Sequence, residues 1–320
     1  VTSVPVRPRD FVETGDGLFF AVVSTLMDAG RHLTSLRYVR EQGRLRKLDT
    51  ESAAALLRSR HGAWVARSGA VDAEVHLVPA EAVVKIHRPE ERLAALVAAG
   101  AGSDTVAGRA VRVVRVLEAA GADPATLGLS GSLLLGAEGP ASDIDLVAYG
   151  RRAFGEARGA LAAAVMSGIV RPLEPREWRS AWERRGSPLS LDEYVWHEQR
   201  KGTKAVSDDT RIDLSLVADA SEQLPLPRGV RKRGRARLVA AVTDASAAFD
   251  LPARYLVSGA PVVEVMSFTP TYAGQVRAGE VLEADGWVEE DGEGVRRLVV
   301  GTSREAPGEY VRNATARGSS

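Results

Sequence analysis

Cysteine is absent from all 320 residues, which excludes disulfides and any Cys-ligated zinc or iron–sulfur centre. Aromatic residues make up only 5% of the chain and methionine only three positions. Charge of either sign is missing in excess, because 42 Lys and Arg offset 42 Asp and Glu. The chain as a whole therefore lacks the polycationic signature of a nucleic-acid binder, and any such binding must use a local patch. No run of about 18 apolar residues could span a bilayer, and no basic segment leads into an apolar stretch at the start. The expectation is a soluble, cytoplasmic protein with no membrane partner. Lysine is scarce too, at five of the 42 basic residues. Arginine suits bidentate phosphate contacts, although genome composition explains the bias equally well.

Hydrophobic residues, at 45% of the chain, are sufficient for a sizeable core, and the length suits two or three domains. Residues 1–100 read as a small α+β accessory domain. Leu18–Val23 and Ser35–Val39 have strand character, Glu51–Arg60 helix character with Thr50 as N-cap, and Glu74–His87 reads as two short strands around Pro79. The Ala- and Gly-rich segment 94–103 suggests a boundary. In residues 101–225, helices are expected over Thr105–Ala120, capped by Asp104, near Phe154–Gly168, and over Leu191–Lys201, where Ser190 and Glu193 have capping-box spacing. Residues 221–228 read as a linker. Residues 226–320 read as a basic, helix-like connector followed by strands near Tyr255, Val262–Phe268, Gly279–Asp285 and Arg296–Val300, a small β-barrel or sandwich.

The chemistry-bearing stretch is Leu129–Val147. Gly131-Ser132 is followed, after ten residues, by Asp143-Ile-Asp145. On a strand the two aspartates share a face while Ile144 and Leu146 point into a core. Adjacent carboxylates repel, and a hard divalent ion such as Mg²⁺ or Mn²⁺ is the partner that would neutralise them. A Gly-Ser turn offers backbone N–H groups and a hydroxyl to phosphate oxygens. In residues 211–217, Ile212, Leu214 and Leu216 form an apolar face and leave Asp213 and Ser215 on the other.

These residues resemble the signature of the DNA polymerase β-like nucleotidyltransferase superfamily: a Gly-Ser pair, a spacer, an Asp-x-Asp strand, and a third carboxylate on a later strand, for which Asp213 is the matching residue. The whole chain is also similar to a group of uncharacterised archaeal proteins described only as predicted nucleotidyltransferases, with flanks like Arg9–Thr14 and Ser267–Gln275. The resemblance implies an α/β (α+β) mixed-sheet core flanked by the two smaller domains. It further implies transfer of an NMP from an NTP such as ATP to an acceptor hydroxyl, with pyrophosphate release. Asp143, Asp145 and Asp213 would be the catalytic metal ligands, Gly131 and Ser132 the phosphate cradle. An RNA or DNA 3′ end is the first choice of acceptor. A small molecule or protein side chain remains open, as do a phosphodiesterase and a catalytically inactive binding protein.

Several features have a plainer counterpart. Asp143 and Asp145 could end a solvated strand, Ser132 could stabilise a turn, and Asp213 could pair with Arg211. Arg200, Lys201 and Lys204 are candidates to reach a triphosphate, or cations at a helix end. Trp178, Trp182, Tyr194 and Trp196 read as a packing stripe more than a stacking platform. His197-Glu198 does not make an H-E-x-x-H zinc motif, because residue 201 is Lys. The run 228–237 is the clearest basic patch; on a helix Arg228, Arg231 and Arg235 would share a face and, with Lys232, track phosphates. Its counterpart is a solvated connector.

Overall fold

Strand-forming residues dominate the first hundred positions. In the computed structural model, which describes residues 5–69, 71–100, 102, 104–227, 229–301 and 306–315, they form β1 (Phe11–Thr14), β2 (Leu18–Asp28), β3 (Arg31–Glu41), β4 (Arg44–Lys47), β5 (Val65–Ser68), β6 (Ala73–Pro79) and β7 (Val83–His87). The sheet order is β5-β6-β3-β2-β1-β7, with β4 added to β3. β2 opens with a continuous apolar run because both sheet faces are covered. Leu18, Phe20, Val12 and Leu36 pack with Leu57 of α1 (Thr50–His61). On the opposite face Phe11, Phe19 and Tyr38 meet Leu134. The helix cap is Asp49 rather than the expected Thr50, its carboxylate accepting from Ser52 N at 2.8 Å.

The segment expected to mark a boundary is instead largely α2 (Pro89–Ala99), with Pro89 at its first turn and Gly100 in the left-handed conformation behind it. α3 (Val106–Ala119) follows, capped by Thr105 and not by Asp104. Its apolar stripe, Ala110, Val113, Val114 and Leu117, is buried. Next come β8 (Leu127–Leu129), the short α4 (Gly131–Leu135), β9 (Ile144–Tyr149) and α5 (Arg151–Met166). β10 (Lys204–Ser207) and β11 (Thr210–Val217) complete a second sheet in the order β10-β11-β9-β8. Within this sheet β9 and β11 run parallel and the other pairs antiparallel; a parallel pair needs a crossover, and α5 within it packs on both strands.

The third sheet holds β12 (Arg231–Asp244), β13 (Ala253–Ser258), β14 (Glu264–Ser267), β15 (Val281–Glu290), β16 (Arg296–Val300) and β17 (Tyr310–Asn313). Strand order β12-β13-β14-β16-β15 closes on itself through β12–β15 pairing, and β17 adds to β15. This closure makes a barrel, not a sandwich. Its core surrounds the fully buried Tyr255, whose hydroxyl donates to Tyr272 O at 2.6 Å and accepts from Gln275 N at 2.9 Å. The run that begins at Arg231 is thus a strand and not the expected helix.

The three sheets fall in the three expected spans, but contacts group the chain into two compact units. The first runs up to Ala66 and includes Val75–Leu173 and Gly202–Leu224; the second comprises Arg67–Glu74, Glu174–Lys201 and the chain from Pro225 onward. The second unit therefore takes α6 (Pro175–Arg185), which has no counterpart in the sequence reading, and α7 (Leu191–Lys201), which matches it and carries the expected Ser190–Glu193 capping box. Together the sheets and helices form an α+β fold. No helix among the described residues is long and apolar enough to cross a membrane.

Candidate active site

Alternation along β9 buries Ile144 and Leu146 completely and turns Asp145 to the other face. β11 repeats the pattern with Ile212 and Leu214 buried and Asp213 on the same side as Asp145. The parallel register pairs Asp213 directly with Asp145, so neighbouring strands, about 4.8 Å apart, carry the two carboxylates side by side. Lys204 is the register partner of Asp213 on the far side. Ser130 N donates to Asp145 O at 2.9 Å on the near side. Four strands thus deliver Lys204, Asp213, Asp145 and the Ser130–Gly131 corner in one row.

Gly131 begins α4 with φ +63, and a Cβ there would overlap Asp145 Oδ2 and lie 3.0 Å from Asp145 Cγ. Only a glycine lets the turn sit against that carboxylate. The sequence-expected cradle and acid pair are therefore neighbours, with Ser132 one residue inside α4. The corner is anchored from the segment before β1 and from α2: Ser130 Oγ donates to Arg9 O at 2.8 Å, and Arg92 Nε donates to Leu133 O at 2.8 Å. Tyr38 also approaches from β3; burial pushes its phenol pKa up, Arg37 opposes this, and the negative charge of Asp145 adds to it.

Asp143 lies one residue before β9 and is held by Arg211, whose Nε and Nη2 reach Oδ1 at 3.1 and 2.7 Å and whose Nη2 reaches Oδ2 at 2.5 Å. Lys204 Nζ donates to Asp213 Oδ2 at 2.6 Å. The alternative pairing of Arg211 with Asp213 is thus replaced by pairing with Asp143. Among the described residues no group of three or more His, Asp or Glu side chains is disposed around a metal position. The oxygen donors of Asp145 and Asp213 are of the kind that suits a hard divalent ion, whereas Asp143 is paired with Arg211.

Other candidate residues go elsewhere. Arg200 and Lys201 belong to the second unit. Arg200 pairs with Glu280 and stacks 4.3 Å from the Trp196 ring. Lys201 is buried, paired with Glu198, and donates to Thr271 O at 2.6 Å. His197 is likewise structural: Nδ1 meets Glu193 O at 2.7 Å, and Nε2 accepts from Asn313 N at 3.0 Å. Trp178 and Tyr194 are buried and Trp182 Nε1 donates to Leu189 O, as a packing stripe requires, whereas Trp196 is exposed. Arg228 lies outside the described residues.

The basic run departs most from expectation. On β12 Arg231, Arg233, Arg235 and Arg237 alternate on the exposed side, but acids of β15 meet three of them. Arg233 pairs with Glu290 at 2.6 Å, Arg235 with Asp285 at 2.7 Å, and Arg237 with Glu283. Lys232 lies 5.2 Å from the Trp287 ring centre. Cross-strand pairing converts most of the linear basic patch into an ion-pair ladder.

Across 335 aligned residues the chain is 31% identical to the uncharacterized protein MJ1086 of Methanocaldococcus jannaschii, covering 96% of this chain and 98% of that protein. The chain belongs to the MJ1086 family. No family model matches it, and no solved structure matches. The aligned span takes in both compact units.

The site also contains residues that sequence reasoning left without a role. Arg9, from the flank Arg9–Thr14, supplies the carbonyl that holds Ser130. Its neighbour Asp10 is completely buried, with Arg7 N donating to Oδ2 at 2.9 Å. The second flank, Ser267–Gln275, belongs to the second unit, where Tyr272 and Gln275 hold the Tyr255 hydroxyl and Thr271 O accepts from Lys201.

Proposed function

We propose that the protein is a divalent-metal-dependent nucleotidyltransferase that moves an NMP from an NTP to an acceptor hydroxyl and releases pyrophosphate. The observation that carries this reading is the parallel register of Asp145 and Asp213 with Gly131 against Asp145. Asp145 and Asp213 would hold Mg²⁺ or Mn²⁺, joined by Asp143. When bound there, such an ion lowers the pKa of the acceptor hydroxyl and stabilises charge on the leaving pyrophosphate. Gly131 and Ser132 orient the triphosphate, and Lys204 and Arg211 supply positive charge to it. Phosphoryl chemistry asks mainly for positioning and charge neutralisation, which these groups provide. The favoured acceptor is an RNA or DNA 3′ end, and dependence on NTPs sets the work in the cytoplasm.

A second reading, nucleotide or nucleic-acid binding without turnover, draws on the two ion pairs that occupy Asp143 and Asp213. Incubation with each α-labelled NTP, Mg²⁺ or Mn²⁺, and RNA, DNA, protein and small-molecule acceptors separates the two. Label transferred by the unaltered protein and lost in Asp145→Asn supports transfer and names the acceptor. Metal-dependent NTP binding with no product on any acceptor supports the binding role.

A further inference from the structure

Two cations are built into the acidic row by strand register, not by chance placement of surface side chains. Arg211 precedes Ile212, which is opposite Ile144, so it falls beside Asp143 at the mouths of the parallel strands; Lys204 is the direct register partner of Asp213. Both are well shielded, with 17% and 12% of their side chains exposed, respectively. Arg211 engages both oxygens of Asp143. Asp143 and Asp213 therefore each have a counter-ion from the chain itself.

We propose that Arg211 is a latch on this site: it holds Asp143 in a metal-excluding state and, when a divalent ion claims that carboxylate, transfers its guanidinium to the phosphates of the nucleotide. The inference rests on the nucleotidyltransferase reading and adds the order of events within the site. A planar guanidinium fork fits carboxylate and phosphate oxygens alike, so the exchange preserves its hydrogen bonds. Asp143 changes partner from an internal cation to an external one, and Arg211 changes partner from an internal anion to the substrate. Metal alone must displace Arg211 without compensation. Metal and nucleotide together each provide what the other frees, and thermodynamic linkage then requires each to strengthen the other.

Mn²⁺ titration followed by electron paramagnetic resonance, with and without a non-hydrolysable NTP analogue, tests this on the full chain. In the unaltered protein the analogue should tighten Mn²⁺ binding. Arg211→Gln should tighten binding of Mn²⁺ alone by roughly fivefold, the scale set by a partly shielded ion pair, and should weaken the benefit conferred by the analogue. Arg211→Lys, which keeps one charge but loses the fork, should fall between the two and covers the case in which the Gln variant fails to fold. A folded Arg211→Gln protein with unchanged or weaker Mn²⁺ binding overturns the latch. If that result accompanies wild-type Mn²⁺ binding that is lost in Asp145→Asn, the metal site stands without the latch. If the unaltered protein binds no Mn²⁺ with or without the analogue, the metal reading and the latch fall together.

Discussion

Asp145 and Asp213 are register partners on two parallel strands, and each is followed by a leucine that is buried in the same sheet. The acids are thus placed by core packing: a one-residue slip of either strand would bury a carboxylate and expose a leucine. Gly131 completes the arrangement from the side. Its consequences, and those of three buried ionisable groups elsewhere, can be measured.

Gly131→Ala should destabilise the protein by about 1–2 kcal/mol for the left-handed backbone alone, and more because the new methyl overlaps the Asp145 carboxylate. Displacement of that carboxylate should also weaken Mn²⁺ binding. Thermal denaturation and Mn²⁺ titration check both effects. Wild-type values in each would remove Gly131 from the site.

Lys201→Met should cost about 3–5 kcal/mol, because it leaves Glu198 buried without its counter-charge. The double substitution Lys201→Met/Glu198→Leu should recover most of that loss. Binding of an NTP analogue should be the same in the double variant as in the unaltered protein. Loss of analogue binding in a stable double variant would restore Lys201 as a nucleotide contact.

Burial raises the carboxyl pKa of Asp10 from 3.8 to about 6, against the opposing influence of the Arg7 amide and the Arg7 and Arg88 guanidiniums. The folded state therefore favours the protonated acid. The associated stability is fully present below the unfolded pKa and is lost as pH rises from about 4 through about 6, an effect of roughly 3 kcal/mol. Asp10→Asn lacks this contribution, so the difference in denaturation midpoint between the two proteins should change across that range. A difference that stays constant with pH contradicts the assignment.

His197 behaves in the opposite sense. Burial, reinforced by Lys201 and Arg200, lowers its pKa from 6.5 to about 4 despite the Glu193 carbonyl. The fold thus favours the neutral ring, and the stability this confers is present above the unfolded pKa and is lost as pH falls from about 6.5 through about 4. Nuclear magnetic resonance of the imidazole should show titration near 4. A midpoint near 6.5 would mean the ring reaches solvent.

Local patterns made much of this legible. The alternation around Asp143-Ile-Asp145 and Ile212-Asp-Leu214 announces two strands with acids on one face, and the Ser190–Glu193 spacing announces α7 at its observed bounds. The caps of α1 and α3 were misassigned by one residue, since neighbouring Asp and Thr side chains are chemically equivalent caps and only backbone geometry chooses between them. α2 was obscured by alanine and glycine near its end, and α6 by the low apolar content of Pro175–Arg185.

By itself the amino-acid order determined which side chains could share a face: the period-2 alternation of β9 and β11, the glycine before Ser132, and the absence of cysteine. Tertiary structure decided what those side chains meet. Parallel pairing set Asp145 beside Asp213 and Arg211 against Asp143, and antiparallel pairing with β15 neutralised Arg233, Arg235 and Arg237 of β12. Such partners lie tens of residues apart in the chain, and their meeting depends on register and handedness of the sheet, quantities set by the packing of the whole core and not by any local stretch of sequence.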